Sequence, residues 1–66
     1  MAAWNSAEKV VVTAHYGFVY SEPDRTSQTI SDVAAGNRLR WEGSKGAFYK
    51  VTYPDGRQGY ISKSIA

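Results

Sequence analysis

No cysteine occurs in this chain, and there is only one histidine, one methionine and two prolines. Without thiols there is no disulfide framework and no thiolate metal site. The single His15 gathers no evident partners, so neither a metal nor a cofactor is expected. Charge of one sign is scarce as well: eight Lys and Arg stand against six Asp and Glu, a formal net charge of +2. The bases are dispersed among the acids and form no stripe of the kind that tracks a phosphate backbone, which excludes nucleic acid as the expected partner. Long hydrophobic runs are missing too. Nothing approaches the ~20 apolar residues of a membrane helix, and no signal-peptide core is present.

What remains must fold on packing and backbone pairing alone. At 66 residues the chain is one domain at most. A core of that size contributes roughly 3–5 kcal/mol of net stability, which natural mini-proteins often supplement with disulfides or a metal. Here the resource is aromatic: Trp4, Trp41, Phe18, Phe48 and five tyrosines. Each ring that is buried removes about 150–250 Å² from water.

Residues 1–7 show no periodicity and read as a leader, with the domain expected over 8–66. Val10, Val11, Val12 and Thr13 form a β-branched run suited to a pleated surface. Gly17 is expected to break that run before Phe18, Val19 and Tyr20. Ser21 to Gln28, with Pro23 and Asp24, reads as an irregular loop. Ile30 and Val33 precede a turn at Gly36-Asn37. Leu39 and Trp41 then alternate with Arg38, Arg40 and Glu42, the period-two mark of a strand with one buried face. Gly43 to Gly46 is the expected turn into a strand whose Tyr49, Val51 and Tyr53 share a face. Pro54-Asp55-Gly56 turns the chain again, and Arg57 to Ile61 is the last long strand, with Gly59 marking a close approach or a bulge. Ser62-Lys63-Ser64 is expected to form a single 3₁₀ turn before Ile65. No window has a helical period. The expected fold is therefore all-β: a small barrel of five to six short antiparallel strands with a 3₁₀ turn before the last.

Phe48-Tyr49-Lys50-Val51, followed by Asp55-Gly56-Arg57-Gln58-Gly59-Tyr60-Ile61, resembles the bacterial SH3-like pattern W-Y-K-V, a short turn, then D-G-x-x-G-W-V. Ile30 and Val33 before Gly36, with Leu39 and Trp41 after it, resemble the family's apolar residues around a glycine turn. Val19 to Pro23 is similar to its N-V-R-S-G-P segment. The resemblance runs from about Val10 to Ala66 and implies an SH3-like barrel. The departures bear on function: Phe18 and Tyr20 stand for Asn and Arg, Glu22 for Gly, and Phe48 and Tyr60 for Trp. Ile65 sits where eukaryotic relatives place a groove tyrosine, which weakens the aromatic ladder that polyproline recognition needs.

The resemblance implies a bacterial cell-envelope setting, periplasmic or extracellular, of the kind appended to NlpC-type cell-wall peptidases. The expected role is a non-catalytic, monomeric module that targets or gates a peptidoglycan peptide for a hydrolase. The expected partner is that peptide or an adjoining catalytic domain. The alternative is a protein–protein or intramolecular module that binds an extended peptide or a neighbouring domain. The abrupt ends suggest a piece of a longer protein, with any export signal or catalytic domain lying elsewhere.

No nucleophile is paired with a base and an orienting group, so no residue is assigned to catalysis. His15 is expected to bond backbone at a strand end. The candidate ligand-binding residues are Tyr16, Phe18, Tyr20, Glu22, Asp24 and Phe48. Glu22 and Asp24 are either solvated turn residues or readers of a cationic ligand group such as a wall-peptide amine. Phe18 and Tyr20 flank inward Val19 and are either surface site or packing; Phe48 is favoured as site. Val19, Leu39, Val51 and Ile61 are the expected core, ringed by Trp41, Tyr49 and Ile30. Arg38, Arg40, Lys50 and Arg57 face outward, where they solubilise the sheet or touch acidic wall polymers.

Overall fold

The computed structural model describes residues 9–66. The expected leader at 1–7, the packing of Trp4, and Glu8 lie outside the described residues. Among those described, the strands are β1 (Val10–Val12), β2 (Gly17–Tyr20), β3 (Thr29–Val33), β4 (Arg38–Lys45), β5 (Phe48–Thr52) and β6 (Gln58–Ser62), followed by a 3₁₀ turn at Lys63–Ile65. They form one antiparallel sheet in the order β1-β4-β5-β6-β2-β3. The all-β expectation holds.

Each strand contributes one buried aliphatic to a single cluster: Val11, Val19, Val33, Leu39, Val51 and Ile61. Trp41, Tyr49, Tyr53 and Ile65 pack around them. Burying a Val, Leu or Ile side chain contributes about 1.5–3 kcal/mol, and buried Phe48 and the residues packed around the cluster add to it. Gly59 lets the layers approach. A Cβ there would lie 2.5 Å from Val19 Cγ1, 2.8 Å from Ile30 Cδ1 and 3.0 Å from the Tyr20 carbonyl oxygen.

The two edge strands, β1 and β3, are joined through Thr13 and the turn after β3. Thr13 N–H donates to the Asn37 carbonyl (3.0 Å), and Gly36 N–H donates to the Thr13 carbonyl (2.7 Å). The Thr13 hydroxyl donates to the Ala34 carbonyl (2.5 Å) and accepts from Asn37 N–H (3.1 Å). Asn37 Oδ1 accepts from Ala34 N–H (2.6 Å), and Gly36 takes the left-handed φ of 90° that closes this turn. Thr13 is 2% exposed. Its hydroxyl is thus a buried polar group with partners on both its donor and its acceptor side.

Four local expectations are corrected. Gly43-Ser44-Lys45 belongs to β4, and the turn is only Gly46-Ala47, with Gly46 at φ 58°. The cause is a bulge: Trp41 pairs with Val51 and Gly43 with Lys50, leaving Glu42 as the extra residue. A second bulge makes Ile30 the extra residue opposite Val19-Tyr20. Ile30 is therefore 36% exposed, although its Cδ1 still rests over Gly59. Gly17 opens β2 rather than breaking the run before it. The 3₁₀ turn takes in Ile65 itself, and no strand follows it among the described residues. Instead the Ile65 carbonyl accepts from Ala14 N–H (2.7 Å) and His15 N–H (3.3 Å).

Thr13→Val keeps the β-branch and removes the buried hydroxyl that bonds the Ala34 carbonyl and Asn37 N–H, which are left with the single bond they make to each other. It is expected to lower unfolding stability by about 0.5–1.5 kcal/mol, and more than Thr13→Ser, in equilibrium urea denaturation. A valine variant as stable as the parent would refute the part given to the Thr13 hydroxyl in joining the two edges. Gly59→Ala drives a methyl into Val19 and the Tyr20 backbone and is expected to lower stability by about 1–3 kcal/mol in the same assay.

Candidate functional site

Alternation on β2 sends Val19 inward and Phe18 and Tyr20 to the outer face. On β5 the same rule puts Phe48 on the face opposite Tyr49 and Val51. The outer face therefore gathers aromatics that the barrel interior does not use. Tyr16 and Phe18 are 60% and 45% exposed, and their rings meet edge-on at 5.7 Å and 74°. Tyr20 stands edge-on to Phe48 at 6.0 Å and 89°. Phe48 is only 7% exposed. It is a floor beneath Tyr20 and not a wall offered to solvent.

Tyr16 is held by its phenol, which donates to Asp32 Oδ2 at 2.9 Å. Asp32 lies opposite Phe18 in the β2–β3 register, so the pairing of the strands sets where the Tyr16 ring can go. That bond to a carboxylate raises the phenol pKa above its ordinary value, because ionisation would break it and bring two negative charges together. Gly17 next to it has no side chain for a structural reason. A Cβ would lie 2.6 Å from Ile65 Cδ1, so a side chain there would require Ile65 to shift from this point.

These residues line a cleft of about 230 Å³. Tyr16, Phe18 and Tyr20 supply its aromatic surface, Gly17 and Ile65 lie along it, and Arg25, Ser62 and Ser64 supply its polar groups. Arg25 comes from the Ser21–Gln28 loop, which is internally tied. Ser21 N–H donates to the Gln28 carbonyl (2.8 Å) and Ser27 N–H to the Asp24 carbonyl (3.0 Å). Ser27 Oγ lies 2.6 Å from the Asp24 carbonyl and 3.2 Å from that of Glu22. Asp24 Oδ1 accepts from Thr26 N–H at 2.9 Å, an Asx turn built around Arg25. Arg25 Nη2 then donates to Ser62 Oγ at 3.3 Å, joining the loop to the end of β6.

Of the six candidate residues, Tyr16, Phe18 and Tyr20 come together along the cleft and Phe48 lies beneath. Glu22 and Asp24 stand outside its lining, in the loop that carries Arg25. Arg25, Ser62, Ser64 and Ile65 were not singled out as site residues from sequence. Arg25 and Ser62 are 37 positions apart, and no local spacing signals such a pair.

A larger groove of about 620 Å³ runs along Lys9 to Val12, past Trp41, Ser44 and Tyr49 to Ala66. Its aromatics are already occupied: Lys9 Nζ lies 4.9 Å from the Trp41 ring centroid and Lys63 Nζ 5.3 Å from that of Tyr49. The exposed rings of the smaller cleft make it the better candidate. His15 is exposed, with its backbone N–H on the Ile65 carbonyl. Among the described residues no three His, Cys, Asp or Glu cluster as metal ligands, and no helix is long and apolar enough to cross a membrane.

A family model described as bacterial SH3 domain matches residues 15–65. The matched stretch begins at the edge of the cleft and ends on Ile65, which lines it. No curated protein matches the chain.

The loop carries a testable titration. The Asp24 carboxyl is held below the ordinary carboxylate range, chiefly by the Thr26 backbone N–H. A group whose folded pKa is depressed contributes its stability above the unfolded pKa and loses it as pH falls through the folded one. The Thr26 amide resonance is therefore expected to be constant above about pH 4 and to move toward its random-coil position on acidification below that. Asp24→Asn keeps the acceptor oxygen and should abolish the pH dependence. A Thr26 amide that does not sense Asp24 ionisation, or an Asp24 carboxyl that titrates no lower than a free aspartate at about 3.9, would show that the bond is not made.

Proposed function

The chain belongs to the bacterial SH3 domain family, whose members are binding modules and not catalysts, and we propose that it recognises a peptidoglycan peptide on behalf of a cell-envelope hydrolase. The observation that carries this reading is the exposed Tyr16–Phe18 pair beside Tyr20, set on the outer face of the sheet along a cleft. Solvent-exposed rings on a small domain that needs aromatics for its core are costly to keep outside unless they meet something. The cleft is shallow and suits an extended, flexible chain.

In this reading Phe18 and Tyr16 take the aliphatic part of the peptide, and Tyr20 is braced from below by Phe48. Glu22 is exposed in the adjoining loop and takes an amine of the ligand. Asp24 shapes the loop from which both Glu22 and Arg25 project. The domain binds as a monomer at the periplasmic or extracellular face and supplies no reactive group. It raises the local concentration of wall peptide for a partner that cleaves it, so weak binding in isolation is sufficient.

Backbone amide titration with purified muropeptides, and with a proline-rich peptide as control, tests the proposal. Saturable shifts at Phe18, Tyr20, Arg25 and Ser62 to Ile65 are expected with muropeptide alone. Phe18→Ala removes an exposed ring, so it is expected to leave the thermal midpoint within a few degrees while weakening muropeptide binding about tenfold. Shifts confined to the groove at Lys9, Trp41 and Tyr49, or none from either ligand at millimolar concentration, would favour docking to a neighbouring domain instead.

A further inference from the structure

We infer that the cleft contains a carboxylate subsite, in which the Arg25 guanidinium takes a carboxylate of the bound peptide while the peptide's apolar part lies on Tyr16 and Phe18. This deepens the peptide reading above and rests on it.

Among the described residues lining the cleft, Arg25 is the only charged side chain. Two of the nearby acids are turned to other work: Asp32 accepts from the Tyr16 phenol and Asp24 from the Thr26 amide, while Glu22 stands outside the cleft lining. A guanidinium carries five N–H donors in a planar fork that matches a carboxylate. Ser62 engages Nη2 alone, so most of the fork is available to a ligand.

The group is also positioned before any ligand arrives. The Asx turn from Asp24 to Thr26 fixes the backbone on both sides of Arg25. At the far end, Ser62 Oγ is held by Ser64, with Oγ–Oγ at 2.8 Å and Ser64 N–H donating at 3.2 Å. A planar cation fixed at both ends, beside exposed rings, selects an anion attached to an apolar chain. Fixing it in advance lowers the entropic cost of binding. A peptide carboxylate meets both requirements, whereas the anion of a polyol phosphate brings no apolar part for the rings.

Isothermal titration with a synthetic N-acetylated stem peptide, with its carboxylates free or converted to carboxamides, tests this directly. The free acid is expected to bind about fivefold tighter than the amide, the size an exposed charge pair supports, and the difference should shrink between about 20 and 200 mM salt. Arg25→Gln should erase the preference for acid over amide, while Arg25→Lys should retain part of it. The thermal midpoint of each variant reports whether the loop still folds. Equal affinity for acid and amide, or a preference that survives in a folded Arg25→Gln protein, overturns the subsite and leaves the peptide reading standing. Poly(glycerol phosphate) binding in place of the peptide, or no binding of either peptide form, overturns both.

Discussion

The closure of the sheet at Thr13 is the constraint on which the rest of this molecule depends. A short six-stranded sheet has two edges, and an open one would leave the Val11 and Val33 side chains at opposite ends of an unfinished core. Thr13 brings those edges together with its backbone N–H, carbonyl and hydroxyl all bonded to the turn after β3. One and two residues later, at Ala14 and His15, the chain is held again, this time by the Ile65 carbonyl. The link from β1 to β2 is thereby stretched across the barrel end between two fixed points. With no disulfide available, these directed bonds do the cross-linking.

That same link delivers the functional surface. Because Ala14 and His15 are tied to Ile65, Tyr16 and Gly17 emerge beside it. The missing side chain at Gly17 lets Ile65 lie close. Strand pairing then sets Asp32 opposite Phe18, where it anchors the Tyr16 phenol. The cleft is a consequence of how the barrel closes, not a decoration added to a finished fold. Phe48 illustrates the division of labour among the rings. It lies outside the aliphatic cluster yet is buried, so it supports Tyr20 from beneath and spares Tyr16 and Phe18 for contact with solvent or a ligand.

Much of the fold was legible because its signals are local. Period two in Leu39 and Trp41, the Pro54-Asp55-Gly56 turn and the close approach at Gly59 each follow from neighbouring residues, and Val19, Leu39, Val51 and Ile61 followed from the alternation. The bulges at Ile30 and Glu42 were not legible, because an extra residue in one strand is defined only by its partner strand. They explain the misplaced turn at Gly43 and the exposure of Ile30. Thr13 looked like one more β-branched residue, since its role exists only once the turn at Ala34 to Asn37 comes alongside. The clustering of Tyr16, Phe18 and Tyr20 was visible as alternate residues on one segment. Arg25, Ser62 and Ser64 joined them only through tertiary contact.

The acids and the base of the Ser21–Gln28 loop look interchangeable in sequence, yet geometry separates them. Asp24 is a short side chain within reach of a backbone N–H two residues on, and its carboxylate satisfies that donor. A carboxylate so engaged holds the chain in place and has less to offer a ligand. Arg25 is long, and its reach carries it from the loop to Ser62 at the end of β6. The short acid therefore sets the direction in which the long base extends. This ordering gives a polar loop with no regular structure a defined set of internal bonds, and it explains how a domain with little net charge can present a positioned cation at the edge of an aromatic surface.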